Sequence, residues 1–202
     1  METDLNALQK ISAQVMARRL PDYRRYLYPQ LDSGSRLIGI KGARGAGKST
    51  LLLQHARQRN LEATQLLYVS CDHPAMVGVE LYALAETFYA RGGQLLLIDE
   101  IHKADDFSRQ LKAIHDVFDI QVLFSGSSAI ELEHASADLS RRAVVHRLDV
   151  LSLREFCELE TGACLPAFSL ADILDNHVNI AARLIQQFRP LELFSRYLSH
   201  GC

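Results

Sequence analysis

Residues 36–50 read Arg36-Leu37-Ile38-Gly39-Ile40-Lys41-Gly42-Ala43-Arg44-Gly45-Ala46-Gly47-Lys48-Ser49-Thr50, and they decide the fold. RLIGIK (36–41) has the β-branched, aliphatic texture of a strand, and LLLQHARQ (51–58) continues the loop into a helix. Between them, Gly42 to Ser49 satisfy GxxxxGK[ST], the pattern of a phosphate-binding loop. Gly42 and Gly47 let the backbone curl so that successive N–H groups face one anion. The helix that follows adds its N-terminal dipole and free N–H groups. Lys48 would neutralise the β- and γ-phosphates, the Ser49 hydroxyl would ligate Mg²⁺, and Thr50 would flank the α-phosphate.

Outward from this loop, short apolar runs alternate with amphipathic helical patterns. QLLYVS (65–70), QLLLIDE (94–100), QVLFS (121–125) and AVVHRL (143–148) read as strands. Helices are expected over 49–59, over 80–90 and along the stripe Phe107, Leu111, Ile114, Phe118. Such alternation implies a parallel sheet covered on both faces. Upstream, Leu5, Leu8, Ser12, Val15 and Met16 recur at helical spacing, and Pro21 ends the run. Arg18, Arg19, Arg24 and Arg25, interleaved with tyrosines, read as a solvated face over packed rings, the alternative being a nucleic-acid or partner surface. Past Val150 strand patterns stop. Ser152 and Glu155 fit a capping box, Ser169 and Asp172 a second start. Val178, Ala181, Ala182, Ile185 and Phe188 share one helical face, and Pro190 can open a last helix. The expected organisation is an N-terminal helical segment (1–31), an α/β core (32–150) and a helical tail (151–202).

The 202 residues carry 48% hydrophobic and 23% charged residues, a globular mixture that excludes coiled coil, collagen and disorder. A net charge of −2 gives no global basic excess of the kind nucleic-acid binders show. No apolar run approaches the ~18 residues of a membrane span. The acids of METDLNALQK do not read as a secretion signal, and Cys71, Cys157, Cys164 and Cys202 form no CxxC pair. Together these features suggest a cytoplasmic protein with idle thiols and no membrane partner.

Three further segments carry chemistry. Leu95 to Ile98 lead into Asp99-Glu100, two carboxylates at the end of a buried strand, where burial is costly unless a metal or water is held. Asp99 would join the Mg²⁺ shell, and Glu100 would act as general base on the attacking water. DEIH also matches the DExH box of helicases, but such a motor needs two α/β domains, so His102 reads as a loop histidine beside the site. The strand 121–125 ends in Ser125-Gly126-Ser127-Ser128, a polar edge able to sense a γ-phosphate, or else an ordinary serine turn. Asp138-Leu139-Ser140-Arg141-Arg142 offers an arginine finger to a neighbouring subunit, or else a surface arginine pair.

GARGAGKSTLLLQ, LLLIDEIHK, QVLFSGSSA, ADLSRRAVVHRL and LSLREFCEL together resemble the AAA+ superfamily. They are most similar to its bacterial and archaeal branch of single-AAA ATPases followed by a C-terminal domain of unknown function. The resemblance runs from about residue 22 to the end, and the chain looks truncated against the family's usual length. It implies a three-layer P-loop NTPase with a parallel sheet and a partial helical lid. It implies ATP and Mg²⁺ at Gly42, Ala43, Arg44, Gly45, Ala46, Gly47, Lys48, Ser49 and Thr50, with Asp99 on the metal and Glu100 as base. Ser127 becomes the sensor, Arg142 the finger, and Arg183 a weaker second-sensor candidate. Further copies of the chain are expected as partners, beside a protein or nucleic-acid client of unstated kind. The competing functions are a nucleotide-gated switch with little hydrolysis and a helicase-like DNA motor.

Overall fold

A computed structural model describes residues 5–32, 34–127, 139 and 141–200. Ser128, Asp138 and Ser140, singled out above, lie outside the described residues. The chain divides into two compact units, Met1–Leu148 and Asp149–Cys202.

The first unit is built on five parallel strands: β1 (Leu37–Lys41), β2 (Leu66–Ser70), β3 (Leu95–Asp99), β4 (Gln121–Gly126) and β5 (Ala143–Arg147). Their order across the sheet is β2-β3-β4-β1-β5. Helices α1 (Leu5–Met16), α2 (Lys48–Gln58), α3 (Leu81–Ala90) and α4 (Phe107–Val117) cover it. The interior strand β3 is buried at all five positions, as expected where both faces are packed. Its residues alternate between two cores. Leu96 and Ile98 join Leu81, Leu84, Phe88, Leu111 and Ile114 on one face. Leu95 and Leu97 join Leu51, Leu52, Tyr28 and Leu31 on the other. That alternation makes the three layers, and truncating a residue such as Leu97 to Ala would cost about 2–5 kcal/mol.

Edge strand β2 is closed by the N-terminal helix rather than left open. The buried Ser12 hydroxyl of α1 accepts the Tyr68 N–H at 2.9 Å, which no strand satisfies on that side. Residues 17–32 then run along α2. Gln54 donates from Nε2 to the carbonyls of Pro21 (2.8 Å) and Tyr23 (2.9 Å). Arg57 donates to the carbonyls of Met16 and Arg18, and the Tyr28 hydroxyl to Gln58. Arg24 stacks 4.4 Å above the Tyr28 ring, so the basic-aromatic segment is tied to the core and is more than a solvated face.

The second unit holds α5 (Leu153–Thr161), α6 (Leu170–Gln187) and α7 (Pro190–His200). Both capping boxes form: Ser152 accepts from Glu155 N at 3.2 Å, and Ser169 from Asp172 N at 3.1 Å. A small core of Phe156, Cys157 and Leu193 is extended by Leu165, Phe188 and Tyr197. Of the stripe, Val178, Ala181, Ala182 and Ile185 are exposed and Phe188 is half-buried against the small core, while the buried residue of α6 is Ile180. Helical period alone identifies a shared face, not what packs on it.

Candidate functional site

The strand order places three loops together at the carboxyl edge of the sheet, where open parallel sheets take their ligands. Strand β4 lies between β1 and β3, with Lys41 level with Gly126 and Ile98 level with Phe124. The ends of β1, β4 and β3 therefore bring the glycine loop, the serine turn and the acid pair side by side.

The loop's glycines serve two purposes. Gly45 (φ 84°) and Gly47 (φ 96°) adopt left-handed backbone, with Gly47 immediately before α2. Gly42 is needed for close approach instead, because a Cβ there would stand 2.2 Å from the Leu148 carbonyl oxygen. Lys48 is 4% exposed, and its ammonium donates to the carbonyls of Gly42 and Ala43, both at 2.9 Å. The ammonium is thus held across the mouth of the loop by two neutral acceptors, which a phosphate oxygen would outcompete.

Asp99 is 3% exposed and accepts three hydrogen bonds. Its Oδ2 accepts from the Tyr68 hydroxyl at 2.9 Å, and its Oδ1 accepts from the Ser125 hydroxyl and from Glu100 N at 3.1 Å. These donors compensate the burial of a carboxylate at the strand end. Burial, then the neighbouring Asp99 carboxylate, raise the Tyr68 phenol far above its ordinary range, so it remains a donor. Cys71, whose N–H donates to the Asp99 carbonyl, is pushed up to about 12 by burial and by the two acids, so its thiol is inert.

Glu100 is differently placed. It leaves β3 in the left-handed region, φ 51° and ψ 43°, which costs a non-glycine residue about 1–2 kcal/mol. Its Oε2 accepts from the Ser127 hydroxyl at 3.1 Å, and His102 Nδ1 lies 3.4 Å from the same oxygen. The side chain is 26% exposed, so one carboxylate of the pair is locked inside and its neighbour is turned towards solvent at the loop. Strain at an acid on a sheet edge is the kind of outlier that marks a working site.

Sequence reasoning missed three of these contacts. Tyr68 and Ser125 converge on Asp99 from β2 and β4, and Arg25 Nη1 donates to the Ala46 carbonyl at 2.6 Å. Only the strand order, which no local pattern encodes, could have paired the first two with Asp99.

Arg142 stands apart from the loop. It precedes Ala143, which is level with Leu37, so it sits at the amino edge of a sheet whose loop is at the carboxyl edge. It is not a bare surface arginine: its Nε and Nη2 donate to the Asp116 carboxylate at 2.7 and 2.9 Å. This bidentate bond, with a smaller contribution from His115, holds Asp116 down at about 2. Arg183 lies exposed on α6 in the second unit.

Ser49 and Asp99 supply hard oxygen donors, and the described residues contain no cluster of three or more His, Cys, Asp or Glu ligands. That donor set suits Mg²⁺, which binds through one or two protein oxygens plus phosphates and water rather than in an all-protein cage. Among the described residues no helix is long and apolar enough to cross a membrane.

A family described as an AAA domain matches residues 34–157. An uncharacterized protein of Methanocaldococcus jannaschii is 31% identical over 178 residues, spanning 82% of this chain. This chain in turn spans only 37% of that relative. Solved structures with similar chains include C. elegans PCH-2, at 17% identity and TM-score 0.44, covering 75% of this chain and 44% of that one. AMPPCP-bound DnaA from Aquifex aeolicus follows at 16% identity and TM-score 0.43, covering 86% and 62%. The Pif1 helicase of Candida albicans gives 17% identity and TM-score 0.45, covering 68% and 41%.

Proposed function

Because the chain belongs to the AAA domain family, we propose that its first unit binds ATP with Mg²⁺ at the loop 42–50 and hydrolyses it. The observation that carries this reading is the division of labour between the two acids. Asp99 is buried and held by three donors, whereas Glu100 is strained, about a quarter exposed and touched by Ser127.

In the proposed reaction the loop amides and Lys48 hold the β- and γ-phosphates, and Lys48 exchanges its two carbonyl acceptors for phosphate oxygens. Ser49 and Asp99 would hold Mg²⁺, which when bound would neutralise charge on the phosphates. Glu100 accepts a proton from water as the water oxygen bonds to the γ-phosphorus. The β–γ bridging oxygen leaves with its electron pair, giving ADP and phosphate. Ser127 holds Glu100 Oε2 through its hydroxyl, and on this reading it can release that oxygen to bond a γ-phosphate. We place Arg142 in the site of a neighbouring copy, since it lies at the opposite sheet edge from its own loop. In this scheme residues 1–148 are the nucleotide-binding unit.

Nucleotide-dependent stability tests binding. Mg-ATP at a hundredfold excess over Kd should stabilise the wild type by about 2.7 kcal/mol. Lys48→Ala should lose that gain, because the phosphate charge goes uncompensated at the loop. Equal stabilisation of the variant would remove the loop from the proposal.

A further inference from the structure

One contact of the segment 17–32 reaches past α2 into the loop itself: Arg25 Nη1 donates to the Ala46 carbonyl at 2.6 Å. That carbonyl shares a peptide unit with the N–H of Gly47. In a trans peptide the two point to opposite sides, and the described chain has no cis bond. With the oxygen held by Arg25, the Gly47 N–H is turned away from the segment. Glycine at φ 96° does little by itself to fix the plane of the peptide before it, and the Arg25 bond supplies a restraint from outside the loop.

We infer that Arg25 is a positioning residue for phosphate, orienting the Ala46–Gly47 peptide so that the Gly47 N–H faces the nucleotide. The inference rests on the nucleotide-binding reading above. The guanidinium acts through the backbone in two ways. It fixes the direction of the N–H, and its charge polarises the peptide so that the N–H donates more strongly. The tie also links the phosphate loop to a segment that Gln54 holds against α2. Because loop amides cradle the β-phosphate common to ATP and ADP, the effect should fall on both nucleotides alike.

Calorimetric titration of Mg-ATP and Mg-ADP into the full chain tests this. Arg25→Ala should weaken both nucleotides by about tenfold, the equivalent of about 1.4 kcal/mol. Arg25→Lys, which retains a cationic donor without the planar fork, should recover part of the loss. Arg57→Ala removes arginine–carbonyl bonds from the same segment away from the loop, and should lower Tm while leaving both affinities unchanged. The inference is overturned if Arg25→Ala binds like the wild type, or if Arg57→Ala weakens binding equally. Loss for ATP alone would also overturn it, placing the guanidinium on the γ-phosphate. A wild type that binds neither nucleotide would instead remove the reading on which the inference stands.

Discussion

Replacing Gly42 by alanine probes the packing that shapes the loop. The new Cβ would meet the Leu148 carbonyl oxygen at 2.2 Å and its carbon at 3.2 Å. An ordinary carbon–oxygen contact is about 3.3–3.6 Å, so the backbone must give by about 1 Å. Leu148 is poorly able to move: it is 2% exposed, and its N–H donates to the Lys41 carbonyl at 2.7 Å. Overpacking costs about 1–3 kcal/mol and weakening that hydrogen bond about 0.5–1.5, giving about 1.5–4.5 kcal/mol in all. Gly45→Ala is the control, since open space surrounds its Cβ and only the left-handed backbone (φ 84°) opposes it, at about 1–2 kcal/mol. The chain has no tryptophan, so urea unfolding is best followed by far-UV circular dichroism. The reasoning fails if Gly42→Ala unfolds within about 0.5 kcal/mol of wild type, or if Gly45→Ala costs more.

Two further outcomes follow from the same structure. Burial lowers both His55 and His146 from their ordinary 6.5, so the unfolded chain takes up protons that the folded chain refuses. Stability is therefore complete above about 6.5 and declines as pH falls through that value; a His55→Gln, His146→Gln chain should show a flatter Tm profile between pH 7.5 and 5.5, and an unchanged slope would reject the assignment. If Arg142 acts in trans, specific activity should rise with protein concentration, Arg142→Ala should lose that rise while binding ATP, and mixing it with Glu100→Gln should restore some turnover. Full activity in Arg142→Ala would leave the residue as the structural partner of Asp116 alone.

What could be read from the sequence was whatever is local. The glycine loop, the aliphatic run before Asp99-Glu100 and both capping boxes depend on neighbours within a few residues, and each lies where its spelling puts it. The lattice of donors around Asp99 was not legible, because Tyr68 and Ser125 reach it from adjacent strands about thirty residues away on either side. Nor was the tie from Arg25 to Ala46, which a positive cluster with tyrosines gives no reason to expect. The α6 stripe was visible as a helical face, yet of its members only Phe188 packs, and Ile180, beside the stripe in sequence, is buried, because period specifies the face and tertiary context specifies its burial. Gly42 matched its motif for a reason the motif does not state: the carbonyl of Leu148 passes over it.

In the proposed reaction Glu100 takes a proton from water at an ATP site built by the loop 42–50. The most direct test is phosphate release from Mg-ATP by wild type and by Glu100→Gln, with nucleotide affinity measured on the same samples. Glutamine keeps the side chain's shape and its contact with Ser127 but cannot accept the proton. Binding should be unchanged and turnover lower by about 10²–10⁴. Turnover equal to that of the wild type, with binding intact, would contradict this role of Glu100.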